Sequence, residues 1–109
     1  MTALKAAYQA LKPLGITIRP DLQTGSEKEF ITYNYASDRG TEYGDDAPAG
    51  NLADIQVHYC NDLSAPYSAV KARIRKALDE AGFTYPSVTE QNTETRRHLV
   101  FECEYFEED

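Results

Sequence analysis

The chain has no tryptophan, a single methionine and only two cysteines. Cys60 and Cys103 make neither a disulfide framework nor a Cys-x-x-Cys site, and they fit a reducing compartment as free thiols. Long apolar runs are missing as well. No stretch approaches the roughly 20 residues that span a bilayer. The N-terminus lacks a secretory layout, because Lys5 and Gln9 interrupt Leu4, Ala6 and Ala7. The expected location is therefore the cytoplasm. Positive charge is scarce: 11 Lys and Arg stand against 18 Asp and Glu, a formal net charge of −7. That balance argues against a non-specific nucleic-acid binder, which needs positive potential to displace counterions, and against a polybasic membrane-surface binder.

What is present suits one domain. The chain has 109 residues, of which 41% are hydrophobic, enough for a single core. Thr2 to about Leu14 reads as a helix capped by Thr2, with Leu4, Ala7, Tyr8 and Leu11 on one face. Ile16 and Ile18 alternate with Thr17 and Arg19, which predicts a short strand ended by Pro20. Residues 22–28 read as a turn. Glu29 to Ala36 is rich in β-branched and aromatic residues, so a strand is expected there. It carries apolar groups on both faces, as a central strand or one with a second partner would.

Ser37 to Gly50 combines Gly40, Gly44, Pro48 and Gly50 with Asp38, Glu42, Asp45 and Asp46. It reads as a long, mobile acidic loop; one of this length in so small a domain is usually either functional or mobile. Asn51 to Cys60 is a strand, with Ile55, Val57 and Tyr59 facing one way and Asp54, Gln56, His58 and Cys60 the other. On that alternation Cys60 is expected to be partly exposed. Ala65 to Ala81 is the strongest helix, with Ser64 as N-cap and Tyr67, Val70, Ile74, Ala77, Leu78 and Ala81 in one stripe. Gly82 ends it and Phe83 folds back. Ser87 to Gln91 and Arg97 to Phe106 read as strands, and 107–109 as an acidic tail. The expected fold is a single α+β domain of order α-β-β-loop-β-α-β-β. Its sheet is antiparallel, with two helices packed on one face.

Motifs that carry chemistry are few. The acidic loop lacks EF-hand spacing and reads as a solvated loop. His58, Cys60 and His98 are too few and too scattered for a zinc site. A Cys–His nucleophile is formally available, yet Cys103 alternates with core residues and nothing marks an activated thiol. No Gly-x-Ser-x-Gly elbow, phosphate-binding glycine loop, dinucleotide fingerprint or His-Glu-x-x-His is present. Phe30, Tyr33 and Tyr35 could stack single-stranded bases, but no basic residue alternates with them. Eight tyrosines suit interfaces and half-exposed strands alike. The residues favour an interaction protein over an enzyme.

The run of pieces has a family likeness. A first amphipathic helix is followed by Phe30-Ile31-Thr32-Tyr33, an acidic glycine-bearing loop and Ala53-Asp54-Ile55-Gln56-Val57. Then come a helix ending Lys76-Ala77-Leu78, the turn Ala81-Gly82-Phe83, and a strand opening Arg97-His98-Leu99-Val100-Phe101. In that order the chain resembles the tail-terminator (tail-completion, or tail-to-head joining) proteins of long-tailed bacteriophages and prophages. The resemblance implies a structural protein without catalytic, metal or cofactor residues. It implies a homohexameric ring on the head-proximal end of the tail tube, in the host cytoplasm during assembly and then in the virion. The implied partners are the tail tube protein, the head-side connector and DNA passing through the lumen without specific binding.

A ring needs two different, complementary patches on each subunit. The acidic loop (Tyr43, Asp45, Asp46) and the basic helix face (Lys71, Arg75, Lys76) are the candidate interface residues. Other head–tail connectors and minor tail proteins share this physics. A small ligand-binding or enzymatic α+β domain using Asp54, His58 and Cys60 is a separate reading, and an RNA-binding sheet a third.

Overall fold

The computed structural model describes residues 1–36 and 50–108. In chain order they form α1 (Ala3–Leu11), a 3-10 turn (Lys12–Leu14), β1 (Phe30–Tyr35), β2 (Gly50–Asp62), α2 (Ser68–Glu80), β3 (Ser87–Glu90) and β4 (Arg96–Glu108). The strands make one antiparallel sheet in the order β1-β2-β4-β3. The fold is α+β.

The pairing of β2 with β4 is the backbone of the molecule. Thirteen residues of each strand pair without a break, from Gly50 opposite Glu108 to Asp62 opposite Arg96. Such a ribbon is about 43 Å long at 3.3 Å per residue, close to the 50 Å long axis of the molecule. β1 flanks only residues 55–60 of it, and β3 only residues 99–102.

The register matches apolar residues to apolar residues. Ile55 lies opposite Cys103, Val57 opposite Phe101 and Tyr59 opposite Leu99. Their side chains share one face with Ile31 of β1. There they meet Ala3, Ala6, Ala7 and Leu11 of α1 and Val70, Ile74 and Leu78 of α2, all buried. A one-residue slip would move this whole set to the other face, so burial itself fixes the register. Three alanines on α1 let that helix sit close to the sheet. Tyr8, expected on its inner face, is exposed instead.

Local chemistry sets the ends of the elements. The Thr2 hydroxyl accepts from the Lys5 N–H at α1. α2 begins at Ser68 rather than at Ala65, and Ser64 is not its cap. The chain before it is committed elsewhere: Leu63 N–H donates to Thr95 and Ala65 N–H to Asp62, and Pro66 disfavours helical geometry at the residue before it. At the other end Gly82 takes φ +98°. Phe83 N–H donates to the Leu78 carbonyl, and its ring is buried.

Three further expectations are corrected. Ile16–Arg19 is not a sheet strand but a single parallel bridge, Ile18 beside Ile31. Arg19 N–H donates to the Ile31 carbonyl and Ile31 N–H to Thr17. Pro20 has no N–H with which to extend the pairing. β1 is accordingly an edge strand, not a central one. Glu107 and Glu108 belong to β4 rather than to a solvating tail. Of the segment 37–50, Gly50 opens β2, and the rest lies outside the described residues.

Glu107 explains why β4 runs so far. Its carboxylate accepts from the Ala3 N–H and the Tyr35 O–H, each at 2.7 Å. A carboxylate at a helix N-terminus satisfies a backbone donor that has no partner within the helix and complements the helix dipole. It also ties β4, α1 and β1 together. Burial and this carboxylate push the Tyr35 phenol up to about 12. Replacing Glu107 by Ala is expected to cost about 1–2 kcal/mol, the loss of a charged cap, read as a lower urea midpoint. Tyr35→Phe keeps the Ala3 bond and should cost less.

Candidate functional site on the open sheet face

Alternation that sends the odd-numbered residues of β2 and β4 into the core sends the even-numbered ones to the opposite face. Among the described residues no helix covers that face. Along β2 it carries Leu52, Asp54, Gln56, His58 and Cys60; along β4 it carries His98, Val100, Glu102, Glu104 and Phe106. From one end to the other its chemistry changes in three zones.

The first zone is closed. Arg19 is buried, with its guanidinium 3.7 Å from the Phe30 ring centroid. It donates to the carbonyls of Leu22, Thr24 and Glu27. Segment 20–27 is thereby wrapped over one side chain, and the chain itself covers Phe30. Gly25 permits the close approach. It has φ +114°, and a Cβ there would stand 2.7 Å from Arg19 Nε. The Asp21 carboxylate accepts from the N–H groups of Gln23 and Thr24, bonds that hold its pKa below the ordinary value. Arg96 approaches the same ring at 5.7 Å.

The second zone is a histidine pair. Cys60 lies opposite His98, and His58 opposite Val100, so the two imidazoles meet diagonally. His58 Nδ1 and His98 Nε2 are 2.8 Å apart, and His58 Nε2 is 2.9 Å from Asn34 Oδ1. Asn34 can only accept at that oxygen, which assigns the His58 proton to Nε2 and makes Nδ1 the acceptor from His98. Burial lowers both pKa values from the usual 6.5. The neighbouring His98 adds to this at His58, and Arg96 adds at His98. With both values lowered the pair is neutral at pH 7, and both His58 nitrogens are paired.

Cys60 stands beside the pair but is buried, contrary to the partial exposure expected of it. Phe30 opposite it and the Arg19 cover close the site. Burial raises its thiol, outweighing the opposing pull of Arg96 and Arg19. Cys103, in the core, is pushed up to about 12 by burial, helped by Asp54 and Glu102. Neither is a thiolate at neutral pH, so neither is an activated nucleophile. Among the described residues no group of three or more His, Cys, Asp or Glu could hold a metal ion.

The third zone is acidic and open. Asp54 lies opposite Glu104, and Gln56 opposite Glu102. Glu102 shares a hydrogen bond with Asp54 across the strands. That bond, burial and the Asp54 charge raise Glu102 above its usual value, against a bond from Gln56 that lowers it. No ion pair among the described residues involves any of these three carboxylates. Just beyond them Leu52 and Phe106 lie opposite each other, both more than two-fifths exposed.

Of the sequence-predicted interface residues, Tyr43, Asp45 and Asp46 lie outside the described residues. Lys71, Arg75 and Lys76 are on α2, along a groove of about 480 Å³ shared with Tyr67, Asp79 and Tyr85. Arg75 lies 5.2 Å from the Tyr85 ring centroid. Its Nε is buried with no hydrogen-bond partner among the described residues. Lys76 is 4.0 Å from Glu80, an exposed pair of little energetic weight. Arg73 is used internally, donating to the Leu14 carbonyl.

Sequence reasoning had each histidine on a strand face but did not join them. The available signal was parity: matching the apolar residues 55, 57 and 59 to 99, 101 and 103 puts the even-numbered residues together. No family model matches the chain, and no curated protein matches it in sequence. Among the described residues no helix is long and apolar enough to cross a membrane.

Two outcomes follow from this geometry. Unfolding lets both histidines take up protons that the folded pair resists, so stability should fall as pH drops below about 6.5. A urea series from pH 7.5 to 5.5 measures the slope, and His98→Gln should flatten it. Both thiols should resist a disulfide reagent in the native protein and react only on unfolding. Fast labelling of Cys60 would show the face to be open there.

Proposed function

We propose that the chain is a structural protein of a phage or prophage tail. It closes the head-proximal end of the tail tube as a homo-oligomeric ring, a hexamer on the family resemblance. It ends tube growth and offers the surface on which the head-side connector docks. The observation that carries this reading is the uncovered sheet face. An exposed Leu52–Phe106 pair beside three carboxylates that no cation among the described residues pairs is poor design for a free monomer and ordinary for a subunit.

Two other features support it. The described residues hold satisfied histidines and protonated thiols rather than a nucleophile with an oriented base. The net charge of −7 would let DNA slide through a lumen rather than stick to its wall. A connector or minor tail protein would share these features and differ by its position in the particle.

Light scattering on a sizing column, with negative-stain images of each peak and pelleting with purified tail tubes, tests the reading. A discrete ring with a central hole that caps tube ends is the expected result. A monomer at every concentration that also ignores tube ends would sink it.

A further inference from the structure

The ring reading leaves open which surfaces of each subunit meet. The candidates are of two kinds. The outer edge of β1 is bridged by Ile18, and β3 is only four residues long. The uncovered sheet face and the α2 groove lie on opposite sides of the sheet, and each lacks what the other has.

On the sheet face Asp54 lies opposite Glu104 and diagonal to Glu102, and no cation among the described residues pairs with any of the three. Carboxylates beside one another on a strand pair repel, and an isolated domain gains nothing from the arrangement. The α2 groove has Lys71, Arg75 and Lys76 against Asp79, with Glu80 4.0 Å from Lys76 in an exposed pair of little weight. It also holds the Arg75 Nε, which has no hydrogen-bond partner among the described residues. The apolar parts match too. Leu52 and Phe106 adjoin the carboxylates, and Tyr85, 64% exposed, adjoins Arg75.

We propose that the uncovered sheet face of one subunit docks on the α2 groove of a second copy, with Glu102, Glu104 and Asp54 facing Arg75, Lys71 and Lys76. Phe106 and Leu52 pack on Tyr85 at the margin of the contact. Because the two patches are different and lie on opposite sides of the sheet, the contact is head-to-tail. It propagates and closes into a ring when the rotation per step divides a full turn. This rests on the ring reading and assigns its faces. The partner patch for the basic helix is then the sheet face rather than the 45–46 loop.

The test uses the full chain and four variants: Glu102→Lys with Glu104→Lys, Lys71→Glu with Arg75→Glu, Glu102→Gln, and the pair Glu104→Cys with Lys76→Cys. Each charge-reversed variant should weaken self-association at least ~10-fold at low salt, with circular dichroism confirming that it still folds. Mixing the two reversed variants should restore assembly. Glu102→Gln removes a like-charge contact, so it should raise the urea midpoint of the subunit at neutral pH while weakening assembly. A merely structural residue would not move those two readings in opposite directions. The cysteine pair should form intersubunit disulfides under mild oxidation, with the buried native thiols not competing.

Full assembly by both reversed variants, with no cross-link, would overturn this docking while leaving the ring intact. A wild-type chain that neither associates nor caps tubes would overturn the ring and the docking together.

Discussion

The unbroken pairing of β2 with β4 is the constraint on which the rest depends. Thirteen consecutive pairs fix one parity for the whole sheet. On one side that parity collects Ile55, Val57, Tyr59, Leu99, Phe101 and Cys103 under two helices. On the other it must collect whatever stands at the even positions. The histidine pair, the carboxylates and the Leu52–Phe106 pair are thus consequences of one register. The same length carries Glu107 to the start of α1, where it tethers the helix to the sheet.

The chain covers its second face only where it has the means. Arg19 supplies them, since one guanidinium can donate in several directions and stack on an aromatic ring at once. It gathers three carbonyls of segment 20–27 over Phe30. Beyond that point no described segment is long enough to reach. The result is a graded face: closed at Phe30, buried but polar at the histidines, open at the carboxylates. The Asn34–His58–His98 hydrogen bonds tie β1, β2 and β4 together beside the open zone.

The parts of the fold that were legible in the sequence are those governed by local periodicity. The α2 stripe Val70, Ile74 and Leu78, the Gly82–Phe83 ending and the alternation of 55, 57 and 59 all stand as the pattern implies. The failures share a different cause. Ile16–Arg19 alternates like a strand, but only one bridge finds a partner, because Pro20 stops the ladder. Ser64 looks like a cap, but a turn to Thr95 occupies that stretch. Cys60 alternates with polar residues yet is buried by Phe30 and Arg19, which come from elsewhere in the chain. The 107–109 run looks like a solvated tail until Ala3 of α1 and Tyr35 of β1 provide Glu107 with donors. Local pattern cannot report a partner from distant sequence. That is also why the His58–His98 contact stayed hidden, although both residues were in view.

The proposed docking rests on how charge is arranged on this surface. Surface ion pairs contribute little on their own, so the missing cations are not a deficit of stability that a monomer must repair. The informative fact is the arrangement. Asp54, Glu102 and Glu104 occupy neighbouring positions on a rigid ribbon, where β geometry holds them close and side-chain freedom cannot separate them fully. The ribbon keeps that repulsion while its opposite face is packed to completion. Glu102 has Asp54 and Gln56 as polar neighbours, but no cation among the described residues offsets the three carboxylates, which is the feature the proposed contact would answer. The favourable partner for such a surface is rigid, basic and flanked by apolar area, so that desolvating the carboxylates is offset by fixed guanidinium and ammonium groups. Among the described residues α2 presents such a set, anchored to the same core through Val70, Ile74 and Leu78. The two surfaces are therefore held at a fixed orientation by one hydrophobic layer, which is the geometric condition for head-to-tail contacts to repeat with a constant turn.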